Sequence, residues 1–196
     1  YEASEKYMDY LNYHTDESNR FTSSHDGPWV EEYRKFEETH TNPDRLVASL
    51  FKDKYFILKK VNPKELMWGM YWVASDMQNA ETKVSFYDLF KGQELFDLWQ
   101  CVNYRFYVGN ANHADGKGIV VANAKSLLRN ILDSADEAIR KGGIAATLRF
   151  GHDGNVIPLV ALMQIENCNV AVSDPYEVYK VWSDFKVVPM AANVQI

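Results

Sequence analysis

The sequence predicts an α/β protein with a large helical part: a mostly helical subdomain over residues 1–112 and a partial α/β core over residues 113–196. Within the first hundred residues, helix-start signals and one-sided apolar faces recur. A break rich in glycine and asparagine, GNANHADGKG at residues 109–118, contains no large apolar side chain. Beyond this break, a helix, a strand and a second helix are predicted in the order that is typical of α/β sheets.

Asparagine and proline mark the starts of three predicted helices in the first part, since asparagine is favoured at the N-cap and proline at the first helical turn. These starts are Pro28, Asn42 with Pro43, and Asn62 with Pro63. A further segment, GQELFDLWQCVNYRFYV, places Leu95, Trp99, Val102 and Phe106 on one face. The aromatic and methionine stripes of these segments are typical of helix–helix packing, and we prefer that interpretation to a ligand site.

The second part begins with a predicted amphipathic helix over residues 119–140, which Gly142 and Gly143 end. The segment IAATLRF, residues 144–150, predicts a strand because it is rich in β-formers and lies between glycines.

A second helix is predicted over residues 155–163. Asn155 is its predicted N-cap, and Pro158 falls in the first turn, where a missing N–H costs little.

Two weaker strand signals lie at residues 168–172 and 191–196. An apolar strand needs neighbours at both edges and cover on both faces, so three strands make a poor independent sheet. We therefore expect the chain to be a piece of a longer protein, or one of two chains that complete each other.

The net charge of −6 argues against a general binder of nucleic acid or of anionic membranes. No apolar run approaches the roughly 18 residues of a membrane span. Two cysteines, Cys101 and Cys168, allow one disulfide at most and leave their pairing open.

The segment FKDKYFILKK holds the one local excess of positive charge, formed by Lys52, Lys54, Lys59 and Lys60. These lysines either line the approach of a highly anionic substrate or form a solvated surface, and the solvated surface is the preferred interpretation.

The stretch LRFGHDGN places His152 and Asp153 between the predicted strand and the next helix. The carboxyl end of a strand, just before a helix N-terminus, is where α/β sheets bind ligands and where free N–H groups favour an anion. His152 can donate hydrogen bonds to a phosphate oxygen. Asp153, partly desolvated beside a dianion, would hold its proton and act as a general acid. The alternative is that the pair merely caps the helix and closes a turn.

LRFGHDGN resembles the second signature of the histidine acid phosphatase branch of the histidine phosphatase superfamily. The segments LMWGMYWVASDMQN and YDLFKGQELFDLWQCVNYRFYV are similar to the α-domain insertion of multiple inositol polyphosphate phosphatases and of bacterial phytase-like proteins. This resemblance implies a phosphatase core with a helical insertion, which hydrolyses phosphomonoesters through a phosphohistidine. It implies that His152 contacts the phosphoryl group, that Asn155 helps to bind the substrate, and that Asp153 protonates the leaving alcohol. No metal or other cofactor is implied, because arginines and histidines supply the positive charge.

The Arg-His-Gly motif that carries the family's nucleophile does not occur in this sequence. None of the other histidines stands in that pattern: His14, His25, His40 and His113. We expect the motif to precede Tyr1 and the last sheet strands to follow Ile196. Multiple inositol polyphosphate phosphatases usually carry His-Ala-Glu where this chain has His-Asp-Gly, which leaves the specificity open.

We therefore expect part of a phytase-like enzyme or acid phosphatase that is inactive alone and acts on a phosphorylated small molecule such as an inositol or sugar phosphate. The same resemblance implies a periplasmic or secreted protein, and nucleic acid is not an expected partner. The alternative is a non-catalytic helical binding module on a phosphatase-derived scaffold. Motifs of serine hydrolases, zinc proteases, P-loop proteins and dinucleotide-binding folds are absent from the sequence.

Overall fold

The computed structural model describes residue 10 and residues 13–143 and 146–196, and the structure is 63% helical. The α-helices are α1 (Asp16–Thr22), α2 (Val30–His40), α3 (Asp44–Leu50), α4 (Lys54–Leu58), α5 (Pro63–Asp76), α6 (Gly92–Asn110), α7 (Lys125–Lys141), α8 (Asp153–Leu162), α9 (Pro175–Val181) and α10 (Asp184–Val187). Short 3₁₀ helices cover Met77–Asn79, Tyr87–Leu89, Ala114–Gly116 and Val121–Ala124. The helical subdomain that the sequence predicts is confirmed.

The chain forms two compact units, Glu31–Val102 and a second unit of Tyr1–Val30 with Asn103–Ile196. Within the described ranges, no helix is both long enough and apolar enough to cross a membrane.

The helix starts follow local sequence signals closely. Asn62 caps α5, and its side chain accepts hydrogen bonds from the N–H groups of Lys64 and Glu65 at 3.0 and 3.4 Å. The predicted cap at Asn42 is wrong by one residue, because Pro43 occupies the N-cap of α3. An asparagine one position earlier still accepts a backbone N–H, as its side chain can turn back onto the chain.

The unit Glu31–Val102 packs α3, α5 and the start of α6 around an apolar core. This core consists of Leu46, Met67, Tyr71, Ala74, Phe90 and Leu98. At its edge, the guanidinium of Arg45 donates to both carboxylate oxygens of Glu94 at 2.5 Å and to the Leu89 carbonyl at 2.7 Å. Burial alone would raise the pKa of Glu94, but the hydrogen bonds from Arg45 and the Lys91 N–H outweigh it and lower the pKa. A forked pair of this kind fixes α3 against the start of α6.

The other unit is built around the second half of α6, whose Tyr104 and Tyr107 are fully buried. The break at residues 109–118, which the sequence shows as a polar segment, folds onto these rings, and His113 within it is buried. The His113 ring lies 6.0 Å from each tyrosine ring, centroid to centroid. The polar composition of this segment therefore reflects an ordered, hydrogen-bonded loop.

The predicted strand at residues 168–172 is wrong, because its backbone groups bond to α6 and to the loop instead of to a neighbouring strand. The Tyr107 hydroxyl donates to the Val170 carbonyl at 2.6 Å and accepts the Val172 N–H at 2.9 Å. The Val172 carbonyl accepts the Ala114 N–H at 3.1 Å. Burial raises the pKa of Tyr107 to about 12, so the phenol keeps the proton that it donates.

The predicted strand at residues 144–150 is also wrong over its described part, residues 146–150, while residues 144 and 145 lie outside the described ranges. Arg149 turns towards α7 and bonds the Asn130 side chain at 2.8 and 3.0 Å and the Ser134 hydroxyl at 2.7 Å. Leu148 and Phe150 on either side of it are exposed. The alternation of a strand is present, but a strand also needs a paired neighbour, and none of the described residues supplies one.

At residues 191–196 the third predicted strand is likewise absent. The Ala192 N–H bonds back to the Pro189 carbonyl at 2.8 Å, and Ala191 adopts a left-handed φ of 62°. This turn redirects the chain before a strand can form. The prediction of a partial α/β core is therefore wrong for the described ranges, which contain no strand.

The amphipathic helix predicted over residues 119–140 is present with shifted bounds. Its first turn is the 3₁₀ helix Val121–Ala124, and α7 follows directly from Lys125 to Lys141. Gly142 ends α7 with a φ of 67°, a value that glycine adopts without strain, so the predicted stop is confirmed.

Candidate functional site

The candidate site is the start of α8, where the three sequence-predicted residues His152, Asp153 and Asn155 follow one another. The predicted N-cap at Asn155 is wrong, because the helix begins two residues earlier, with His152 at the N-cap and Asp153 as its first residue. Asn155 then occupies the third helical position. Its side-chain oxygen accepts the His152 N–H at 2.9 Å, which satisfies a backbone donor that precedes the helix.

His152 has extended backbone geometry, with φ −107° and ψ 170°, and its carbonyl accepts the Asn155 and Val156 N–H groups at 2.9 and 3.2 Å. These bonds and the Asn155 side chain fix the backbone of His152 from both sides. The side chains of His152 and Asp153 are both exposed. The fold therefore presents an imidazole and a carboxyl group to solvent from a well-defined backbone.

The Asp153 carboxylate accepts the Gly154 N–H at 2.7 Å through one oxygen. Negative charge in the first turn of a helix is also favoured by the partial positive charge of the free N–H groups there. One backbone bond leaves most of the hydrogen-bonding capacity of a carboxyl group open to a proton or a ligand. Asp153 thus forms part of the helix start and keeps an exposed carboxyl group.

Pro158 lies inside α8, at its sixth residue, and the prediction that it falls in the first turn is wrong. Proline has no N–H, so it cannot give the Gly154 carbonyl its usual helical hydrogen bond. Gly154 also permits a close approach, since a Cβ there would lie 3.2 Å from the Asn110 side-chain oxygen. The start of α8 is therefore packed closely against the end of α6.

A small, open cleft of about 20 Å³, which has room for about one water molecule, lies beside the start of α8. Its polar lining residues are Tyr10, Tyr13, His14, Asn110, Asn123 and Asn155. Among the described residues that line it, no aspartate, glutamate, lysine or arginine occurs. Amide and phenol side chains around a cleft of this size suit one water molecule or a single hydroxyl group.

Asn123 is the most constrained of these polar residues. It is buried, and its side-chain N–H₂ donates to the Ser18 hydroxyl at 3.1 Å and lies 3.1 Å from His14 Nδ1. Its side-chain oxygen is buried without a hydrogen-bond donor from any described residue. A buried acceptor without a donor carries a desolvation cost, which a bound hydroxyl group or water would relieve.

The structure brings His152, Asp153 and Asn155 together at one helix start, but of these three Asn155 alone lines the cleft. His14, Asn110 and Asn123 were missed by the sequence reasoning. Asn123 had a visible signal, since it is a polar residue beside Val120, Ala124 and Leu127 on the apolar face of a predicted helix. His14 and Asn110 had none, because their proximity depends on how distant segments pack.

The lysine segment lies in the other unit, and Lys52, Lys59 and Lys60 are exposed there. Cys101 is buried and Cys168 is partly buried, and no disulfide joins them.

No protein-family model matches this sequence, and a comparison with curated proteins finds no relative.

Proposed function

We propose that this chain is part of a phosphomonoester hydrolase of the histidine acid phosphatase type, in which Asp153 protonates the leaving oxygen and His152 binds the phosphoryl group. The observation that carries the proposal is the exposed His152–Asp153 pair at the start of α8, with its backbone fixed by Asn155. A helix N-terminus is a favourable place for a phosphate, because its free N–H groups and the helix dipole both attract negative charge.

The proposed chemistry divides between the two residues. A neutral Asp153 donates its proton to the ester oxygen as the P–O bond breaks, so that the alcohol leaves uncharged. His152 stabilises the charge on the transferring phosphoryl group. The nucleophilic histidine and the phosphate-binding arginines are proposed to come from other segments of the parent protein, since Arg-His-Gly does not occur in residues 1–196.

The proposed substrate is a phosphorylated small molecule with an alcohol leaving group, such as an inositol or sugar phosphate. The resemblance of LRFGHDGN to the phosphatase signature supports this choice, and Asn155, next to the pair, is the proposed contact to the substrate. By the same resemblance, the parent enzyme is proposed to act in the periplasm or outside the cell.

The proposal is tested by kcat/KM of the parent enzyme on an inositol phosphate and on nitrophenyl phosphate. Asp153→Asn should lower the rate on the inositol phosphate by about 10²-fold and spare nitrophenyl phosphate, whose oxygen leaves readily as an anion. His152→Ala should lower both rates alike, because phosphoryl stabilisation is needed whichever group leaves.

Asp174→Asn is the matched control, since Asp174 also accepts a backbone N–H at the start of a helix, that of Tyr176 at 2.8 Å. It should leave both rates unchanged. Equal losses on the two substrates for Asp153→Asn would remove the proton-donor role and leave the pair as a helix cap.

The second candidate is a non-catalytic binding module on a phosphatase-derived scaffold. The buried oxygen of Asn123, for which no described residue supplies a donor, favours it, because that feature serves binding without any nucleophile. An Arg-His-Gly motif in the coding sequence that precedes Tyr1 supports the enzyme, and its absence from the whole gene supports the binding module. In either case, purified residues 1–196 should not turn over phosphomonoesters.

A further inference from the structure

The segment of residues 52–60, in the unit Glu31–Val102, exposes large apolar side chains within the short helix α4. Tyr55 is 73% exposed, Phe56 is 58% exposed and Leu58 is 47% exposed. Single exposed apolar residues are ordinary on protein surfaces, but Tyr55 and Phe56 are adjacent in α4 and are the most exposed of the three, so they form one apolar area. Such patches mark places where a partner or a membrane binds.

Lysines flank this patch on both sides, and within the described residues they have no ion-pair partner. Lys52 precedes α4, Lys59 and Lys60 follow it, and all three are exposed. The acidic side chain within the segment, Asp53, caps α4 by accepting the Phe56 N–H at 2.9 Å. The Asp53 carboxylate offsets one charge, and residues 52–60 remain net positive with four lysines against one aspartate.

Several other cations of the same unit are paired. Arg45 is paired with Glu94, Lys64 with Glu37, and Lys35 with Glu31. The lysines around α4 differ from the remaining exposed lysines of the unit in flanking exposed aromatic side chains.

The arrangement of charge and apolar area decides which partner fits. A small anion is held in a polar, enclosed site, whereas these lysines surround side chains that project into solvent. A partner must therefore offer anionic groups and an apolar phase directly beneath them. A membrane surface with anionic lipids does so, since aromatic and aliphatic side chains enter the boundary layer while lysine ammonium groups remain at the headgroups.

We propose that residues 52–60 dock this protein on an anionic membrane surface, with Tyr55 and Phe56 in the interfacial layer and Lys52, Lys59 and Lys60 against lipid headgroups. Each lysine near an anionic surface contributes about a five-fold gain in binding. The chain as a whole is acidic, with a net charge of −6. Its other charges are screened beyond about 8 Å at physiological ionic strength, so the local surface governs contact.

This docking is independent of the proposed phosphatase function. It is tested by co-sedimentation of residues 1–196 with vesicles of phosphatidylcholine alone and of phosphatidylcholine with 30% phosphatidylserine. The protein should sediment with the phosphatidylserine vesicles and stay in the supernatant with the neutral ones. Binding should weaken steeply as the salt concentration rises.

Two variants separate the contributions of charge and apolar area. Lys59→Glu with Lys60→Glu should lower the partition coefficient at least 25-fold, from five-fold for each lysine lost. Phe56→Ser should lower it several-fold without changing the salt dependence. Both changes are at exposed positions, and an unchanged circular dichroism spectrum verifies the fold.

The matched controls lie outside the segment. Phe185 is 56% exposed, so Phe185→Ser removes a side chain of nearly equal exposure to Phe56. Lys125→Glu with Lys186→Glu makes the same change in net charge at two exposed lysines. These controls should sediment like the parent chain. No sedimentation with phosphatidylserine vesicles, equal sedimentation with neutral vesicles, or equal loss in the controls would overturn the proposal.

Discussion

Replacement of His113 by glutamine should remove much of the acid sensitivity of the unit that contains it, because His113 is buried as a neutral ring. His113 Nδ1 accepts the Asp115 N–H at 3.3 Å, so this nitrogen carries no proton. The Nε2–H then donates to the Tyr104 hydroxyl at 3.1 Å, and that hydroxyl donates to the Ser173 carbonyl at 3.2 Å. A second proton on the ring would break the bond from Asp115.

Burial lowers the pKa of His113 below its ordinary value of 6.5, and the nearby charge of Asp115 and a hydrogen bond to the Ser173 backbone offset this only in part. In the unfolded chain the histidine titrates near 6.5, so below that pH the unfolded state binds more protons than the folded state. The free energy of unfolding then falls as the pH falls, by at most about 1.4 kcal/mol per pH unit. The stabilisation is complete above pH 6.5 and is lost as the pH falls through the lowered pKa.

Urea unfolding of residues 1–196 between pH 5.5 and 8 measures this contribution. At pH 8, His113→Gln should cost about 1–3 kcal/mol, because glutamine can keep a donor to Tyr104 but leaves the Asp115 N–H without its acceptor. The cost should shrink towards pH 5.5, since the variant has no group to titrate there. His25→Gln, a change at an exposed histidine, should keep the pH dependence of the parent chain. Parallel pH curves for the parent chain and His113→Gln would refute the assignment of a buried neutral ring.

Two further stability predictions follow from the hydrogen bonds of each unit. Arg45→Met should lower the free energy of unfolding by about 1–2 kcal/mol, because it leaves the partly buried Glu94 carboxylate without its ion-pair partner. Lys35→Met, at a solvent-exposed pair, should lower it by less than about 0.5 kcal/mol. Tyr107→Phe should cost about 1–3 kcal/mol in urea unfolding, because one hydroxyl serves both a buried donor and a buried acceptor; no loss would contradict its role in holding residues 170–172.

Helices were predicted well because their signals are local. Asn62 and Pro63 begin α5 as the sequence indicates, and Gly142 ends α7. Their positions depend on backbone groups within one or two turns of the chain. Strands failed for the opposite reason. Residues 144–150 are rich in β-formers between glycines, but composition describes single residues, and a strand exists through its paired neighbour.

The segment at residues 168–172 shows a second kind of failure. Its apolar residues suit a strand, yet its backbone groups are satisfied by Tyr107, more than sixty residues earlier in the chain. No local sequence pattern predicts that the buried Tyr107 hydroxyl will bond these backbone groups in place of a neighbouring strand. The cleft has the same origin, since it joins His14, Asn110, Asn123 and Asn155 from four separate segments. Three of the residues at the start of α8 were predicted because they are neighbours in sequence.

The helix-cap and the catalytic interpretations of His152 and Asp153 make different demands on the same atoms. A cap is complete once the backbone groups at the helix start are paired. Here the Asn155 side chain takes the His152 N–H, and one oxygen of Asp153 takes the Gly154 N–H. These bonds account for the local backbone and still leave the Asp153 carboxyl group exposed, with capacity for a proton. Capping therefore explains the shape of the turn. It does not use the exposed part of the Asp153 carboxyl group, and proton donation requires that part.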